Sequence, residues 1–587
     1  MADLSWEAAS AQRGKYLSVA LKGRGLVTTL GPEDRLKVID TLIPLFEGVY
    51  CHLPQKRAGY AADPVQALRL LRQRCIEMTD GEFHLAVTGI VTGLRDAHTR
   101  YVGPSGLRSK VAVLPFLVES YGPQEAPRFI VSKVAKTAEV EKSGFAEGVE
   151  LVSWNYVPMS RAVDVYAAQE TGGRRDARRA RALETLTFRS LDYGPPPDEH
   201  KVNIEFMVGR TRREVCIPWR VVGIPAATLG RNSQVALKAA WNPAAESVRK
   251  AKTLMFAPAA WDANRLRTSG STAGTKEAPA AAVGEDIETS LPNVLSARTI
   301  ETKLDGKRVT IGYLRIWSFD VDDHEGFVTE VNRLLQQLPA DRLIVDLRAN
   351  PGGLIWAAER LLQLFTDETV LPTRFSLLAT PVTRAMAESA FNHLELDAWL
   401  ESLTDAVSTG EVYSQPIPLT DPEWCHDIGR TYPGVAVLVV DPNTYSSGDL
   451  FAAGWADHGI GPLICIGQAT GAGGANVWGD LQLSEALTGT PFEFDPLPDG
   501  VHFTMAIRRA IRSGRSDGVP IEDLGISGIP YALTRRDLLE GVTRELLQSS
   551  AGAVADSDLD SIATCVALLR HLSSADEPPQ ASIKGPG

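Results

Sequence analysis

Two stretches, "LIVDLRANPGGL" at 343–354 and "VAVLVVDPNTYSSGDLFAAGW" at 435–455, constrain the fold more than any other part of this chain. Each opens on a continuous apolar run, Leu343 to Val345 and Val437 to Val440. Neither run has the polar alternation of a half-buried strand, and both are too short for a helix. Such runs read as strands covered on both faces, which belong to parallel sheets packed between helices. The turn residues that follow, NPGG in one and DPNTY in the other, lead each time into apolar residues at helical spacing. With "VTIGYLRI" at 309–316 and "GPLICIGQ" at 461–468, the region beyond about Arg308 is expected to be an α/β core.

The rest of the chain reads differently. A length of 587 residues is too great for one core. "RLKVIDTLIPLFEGVY" and "PVQALRLLRQRCIEM" carry helical periodicity, so residues 1–108 are expected to form a helical N-terminal domain, its helices running from Lys15 to about Thr92. Short β-rich runs such as "PRFIVSKVA" and "HKVNIEFMVG", with one helical segment, "ARRARALETLTFRSL", among them, mark a compact module over 109–222. Residues 223–305 read as an insert whose part from 268 to 292 is too poor in large apolar residues to offset its ordering entropy. The core then occupies 306–541, and 542–587 is a helix, "DLDSIATCVALLRHL", with a polar tail.

Within this frame Ser446 and Ser447 stand where a buried strand turns into a helix. Unpaired N–H groups and the helix dipole at such a turn favour a developing oxyanion. Taken alone, either serine reads better as a helix cap. The second turn changes the balance, because Gly352 and Gly353 let backbone N–H groups approach a ligand closely. If the two strands are neighbours, the two turns can supply a pair of oxyanion donors.

Together these residues resemble the C-terminal processing and tricorn-type serine peptidase family, and further elements follow in that family's order. "GLRDAHTRY" at 93–101 is similar to its D-x-H-T element, the β-rich module to its PDZ-like domain, and "VPIEDLGISG" at 519–528 to an acidic element of the tricorn and chlamydial-protease branch. The resemblance implies a crotonase-like or Clp-protease-like spiral core. It implies Ser446 as nucleophile, His98 as general base and Glu522 as the acid that orients the imidazole, with Asp523 the near alternative. It further implies an oxyanion hole from Gly352, Gly353 and the Ser447 N–H. Members with a serine–lysine dyad carry the lysine where this chain has Gly473, which leaves His98 to take the serine proton. The expected activity is peptide-bond hydrolysis through an acyl-enzyme, with a peptide or unfolded protein as substrate. A non-catalytic binding protein and an ester hydrolase on the same fold are the rivals, and related proteases can carry a self-inhibitory segment where the 268–292 stretch lies.

Other signals are weaker. A net charge of −12 gives no general attraction to nucleic acid or anionic membrane, and the arginine run Arg174 to Arg181 reads as a solvated helix face. No HExxH or metal-spaced Cys/His set occurs, so neither metal nor other cofactor is expected. The six cysteines are scattered, the N-terminus lacks the apolar core of a secretory signal, and no long apolar run appears, which together suggest a cytoplasmic protein. Assembly into a homo-oligomer is compatible with all of this.

Overall fold

The computed structural model describes residues 15–16, 30–104, 109–135, 137–224, 239–256, 286–304, 307–390 and 394–539. The expected C-terminal helix and most of the 268–292 stretch lie outside them. Among the described residues, the central sheet has seven strands in the order Asp286–Ile287, Leu295–Leu304, Lys307–Ile316, Arg342–Asp346, Val435–Val440, Leu463–Ile466 and Ile529–Tyr531. The first two pairings are antiparallel and the next four parallel. The apolar runs are therefore strands of a parallel sheet. Successive residues supply its two faces: Leu343, Val345, Leu438 and Val440 join one apolar cluster, while Ile344, Val437 and Val439 join another.

The first of these clusters also takes in Val38, Leu42 and Phe46 of the helix Pro32–Gly48, so the N-terminal helices and the sheet share one core. Among the described residues the first helix is Pro32–Gly48. Lys15–Tyr16 is a short strand paired with Arg220 and Val221, and residues 17–29 lie outside the described set. The β-rich module has a sheet in the order Thr211–Pro218, Lys201–Val208, Glu150–Trp154, Arg128–Val134 and Phe116–Tyr121. Against it pack the helix Arg175–Thr185 and a helix the periodicity did not announce, Met159–Gln169. The protein is thus a mixed α/β fold with a β-rich, PDZ-like sheet module. Among the described residues no helix is long and apolar enough to cross a membrane, and the cysteines, from Cys51 to Cys465, are all free.

A buried carboxylate ties the central strands at their C-terminal ends. Asp346 accepts from Tyr313 Oη at 2.7 Å, Arg315 at 2.5 Å and the Arg348 N–H at 2.9 Å, and the Arg348 side chain closes on it at 2.5 Å. Burial alone would raise its pKa, but the two guanidinium groups hold it far below the usual carboxylate range. Removing one member of such a network leaves the others buried and uncompensated. Asp346→Asn should lower unfolding stability by about 3–5 kcal/mol, read from urea denaturation at pH 7. Because the folded-state pKa is depressed, the contribution is present above about pH 4 and fades as pH falls below it.

Candidate active site

Both Gly- and Ser-bearing turns leave the C-terminal ends of adjacent parallel strands, with Asp346 in register with Val439, so the condition on neighbouring strands holds. Hydrogen bonds then stitch the two turns together. Tyr445 N–H donates to the Asn350 carbonyl at 2.8 Å, Ser447 Oγ to the Gly353 carbonyl at 2.9 Å, Thr444 Oγ1 to the Leu347 carbonyl at 2.9 Å, and Ala349 N–H to Asp441 at 2.8 Å.

Ser446 precedes the helix Ser447–Asp457 and has φ 64° and ψ −118°. A non-glycine residue held there costs on the order of 1–3 kcal/mol and persists only where its surroundings enforce it. The enforcing group is Asp449, whose carboxylate accepts the Ser446 N–H at 2.6 Å, the Thr470 hydroxyl, the Ala472 N–H at 3.1 Å and the Gly473 N–H at 3.0 Å. Complete burial raises the Asp449 pKa to about 6 even so. This sharp strand-to-helix turn is the geometry that presents a serine hydroxyl to a partner side chain.

That partner is His98. Its Nε2 lies 2.6 Å from Ser446 Oγ, with both residues fully buried. The imidazole sits on a short loop whose Asp96 accepts the His98 N–H at 2.8 Å and the Thr99 hydroxyl at 2.7 Å, while Thr504 Oγ1 donates to the His98 carbonyl at 2.7 Å. The strand Arg100–Val102 that follows pairs with His502–Ile511 and fixes the loop to a second sheet. The Tyr445 ring covers the imidazole at a centroid separation of 4.9 Å. Burial lowers the His98 pKa to about 3, with Asp96 opposing the shift. A neutral imidazole at this distance can accept a hydroxyl proton.

The far side of His98 is less regular. Nδ1 has no hydrogen-bond partner, and Asp96 Oδ1 stands 4.0 Å away. One ligating atom from each of Asp96, His98 and Glu522 lies within 4.8 Å of the others. Glu522 is turned toward Lys56, whose Nζ donates at 2.7 Å to Glu522 and at 2.7 Å to Asp523. The Gly474 N–H reaches the other Glu522 oxygen at 3.3 Å. Burial pushes Glu522 well above the usual carboxylate range, Asp96 and Asp523 add to this, and Lys56 opposes it. Burial would also raise Asp96, but His52, His98 and Lys56 hold it at about 2. His52, buried beside this group with neither ring nitrogen bonded, is lowered by burial to about 4.

The glycines divide. Gly352 N–H is taken by Asn350 Oδ1 at 2.9 Å. Gly353, at φ 147°, is so close to the Phe319 backbone that a Cβ would fall 2.0 Å from its carbonyl carbon. Gly352–Leu354 also pairs antiparallel with Ala239–Trp241 of the insert, with Ala240 opposite Gly353. A Cβ on Gly473 would meet the Tyr445 ring at 2.1 Å, so that ring occupies the space a lysine there would need.

Sequence reasoning missed Lys56, His52, Asp96 as a charge beside His98, and the ring of Tyr445. "LPQKRAGY" reads as an ordinary helix segment, and nothing local marks Lys56 as buried. Only the excess of acidic candidates at 522 and 523 hinted that a cation had to meet them.

Residues 310–494 match the sequence profile of Peptidase family S41; this range holds Ser446, Ser447, Gly352 and Gly353 but neither His98 nor Glu522. A carboxyl-terminal-processing protease of Picosynechococcus sp. is 31% identical over 103 residues, which is 16% of this chain and 25% of the relative. The match thus spans about a quarter of that relative's length. The solved structure of mature CPAF aligns over 90% of this chain and 98% of its own, with a TM-score of 0.61 and 18% identity. Mature CPAF complexed with lactacystin aligns over 93% and 99%, at 0.59 and 18%. These likenesses show a common fold.

The buried neutral imidazoles carry a linkage consequence. The unfolded chain takes up protons near pH 6.5 at His52 and His98, whereas the folded chain does so only near 4 and 3. Stability should therefore fall as pH drops below 6.5, by up to about 1.4 kcal/mol per pH unit for each histidine. Urea midpoints at pH 7.5 and 5.0 check this, with His52→Gln expected to show the shallower dependence.

Proposed function

We propose that the chain is a serine endopeptidase acting on peptides or unfolded protein, a reading supported by the match of residues 310–494 to the profile of Peptidase family S41. The observation that carries the proposal is the 2.6 Å contact between His98 Nε2 and Ser446 Oγ at a strained strand-to-helix turn. His98 takes the Ser446 proton as Oγ attacks the scissile carbonyl, then returns it to the leaving amine. Water hydrolyses the acyl-enzyme by the same proton route in reverse. The Ser447 and Gly353 N–H groups are assigned to the oxyanion; Gly352 is engaged with Asn350, and Ala240 of the insert, which lies opposite Gly353, has to give way for the substrate oxygen to reach that N–H.

Glu522 is assigned the role of stabilising the imidazolium at Nδ1. Asp96, at 4.0 Å, is the second reading for this role. We read the core, 306–541, as a crotonase-like spiral, with the helical part at 1–108 and the PDZ-like module at 109–222 as its flanking domains. The free cysteines agree with a cytoplasmic setting.

Hydrolysis of an unfolded protein substrate tests the proposal. Ser446→Ala and His98→Ala should each lower kcat by about 10⁴-fold or more. Full activity in Ser446→Ala would overturn the nucleophile, and turnover of esters without peptides would favour an ester hydrolase. For the third residue, Glu522→Gln should cost about 10⁴-fold in kcat with little change in KM. A loss of that size in Asp96→Asn with Glu522→Gln near normal would move the role to Asp96.

A further inference from the structure

We propose that Arg181 is a substrate-binding residue whose guanidinium takes the carboxylate of an acidic side chain close to the scissile bond, making acidic peptides the preferred substrates. The inference rests on the peptidase reading above and names the substrate class of that site. Arg181 lies on the helix Arg175–Thr185 of the β-rich module. It lines a cleft of about 1770 Å³ that extends to Asp441, Pro442 and Asn443, just ahead of the nucleophile turn.

The other arginines of this run each have a partner. Arg174 pairs with Asp176 at 2.6 Å, Arg175 and Arg179 with Asp164, and Arg178 donates to the Gly172 and Gly173 carbonyls at 2.9 and 2.6 Å. Cations elsewhere along the cleft, the exposed Lys133 apart, are also paired: Arg249 with Glu246, Lys252 with Glu184, and Arg315 and Arg348 with Asp346. Arg181 is only 6% exposed, its Nε is buried without an acceptor, and among the described residues no carboxylate or carbonyl meets it. An unpaired buried cation is costly. Its retention is explained if the partner arrives with the ligand, and the planar fork of a guanidinium matches a carboxylate.

Placement supports the same conclusion. The Arg181 guanidinium lies 5.0 Å over the Tyr445 ring, and that ring is 4.9 Å from His98. Arg181 is therefore within about 10 Å of the imidazole, the reach of roughly three residues of extended peptide. Arg100 adds a second buried cation beside the imidazole. Among the described residues its donors reach only neutral acceptors: the Ala97 carbonyl at 3.0 Å, the Tyr193 carbonyl at 3.4 Å, Thr171 Oγ1 at 3.2 Å and Asn242 Oδ1 at 3.3 Å. Both guanidinium groups disfavour the imidazolium that catalysis must form. A substrate carboxylate here offsets that charge, so acidic substrates gain in kcat as well as in binding.

C-terminally amidated peptides carrying Glu or Gln in turn at the two positions on either side of the cleaved bond test the assignment. The wild-type protein should favour Glu over Gln at one of these positions by about tenfold or more in kcat/KM. In Arg181→Met that ratio should collapse to about one. In Arg181→Glu it should invert, with a Lys peptide preferred over the Glu peptide, an outcome that misfolding cannot produce. A wild-type protein that cleaves both peptides equally, a preference that survives Arg181→Met, or discrimination seen only when the peptide has a free C-terminal carboxylate would each overturn the subsite. No hydrolysis of any peptide, together with no reaction of Ser446 with a fluorophosphonate, would overturn the peptidase reading itself and the subsite with it.

Discussion

The parallel pairing of Arg342–Asp346 with Val435–Val440 is the constraint on which the candidate site depends. It brings two turns, about ninety residues apart in sequence, to one end of the sheet. Tyr445, Ser447, Thr444 and Asp441 then bond directly to the opposing turn. Ligands in open parallel sheets bind at this carboxyl end, because there the backbone leaves the ladder with its polar groups uncommitted. Asp346 beneath the turns and Asp449 behind the serine hold the geometry through buried carboxylates with several donors each.

Burial governs the electrostatics of the site. It keeps His98 and His52 neutral, raises Glu522, and is outweighed at Asp96 by interactions with His52, His98, Lys56 and the Thr99 hydroxyl. Lys56 anchors the acidic loop at 522–523 from the N-terminal helices, so the helical part, the Glu522 loop and His98 form one charge network. The Glu522 carboxyl faces Lys56 while His98 Nδ1 has no hydrogen-bond partner. The cost of charging His98 is therefore offset only in part, by Asp96 at 4.0 Å.

The parallel core was legible because Leu343–Val345 and Val437–Val440 are apolar on both faces, a pattern few other structures produce. The serine turn was legible for a related reason, since a strand end, turn residues and a helical repeat occur in immediate succession. Short-range pattern fails where the deciding contact is remote. Lys56 looks like any helix lysine until Glu522 meets it across the fold. Lys15–Tyr16 continues a helical-looking region yet pairs as a strand, because Arg220–Gly223 offers it an edge. The arginine run was read as a solvated face, which fits Arg175, but Arg181 on the same helix is buried at the wall of the cleft.

The central claim is that Ser446 is an activated hydroxyl. It is tested most directly by reacting the purified protein with a fluorophosphonate at neutral pH and locating the adduct by mass spectrometry of the digested chain. The account predicts one adduct, on Ser446, formed by the wild-type protein and by Ser447→Ala and lost in His98→Ala. An adduct on Ser447, or labelling of Ser446 that is indifferent to His98, would contradict it.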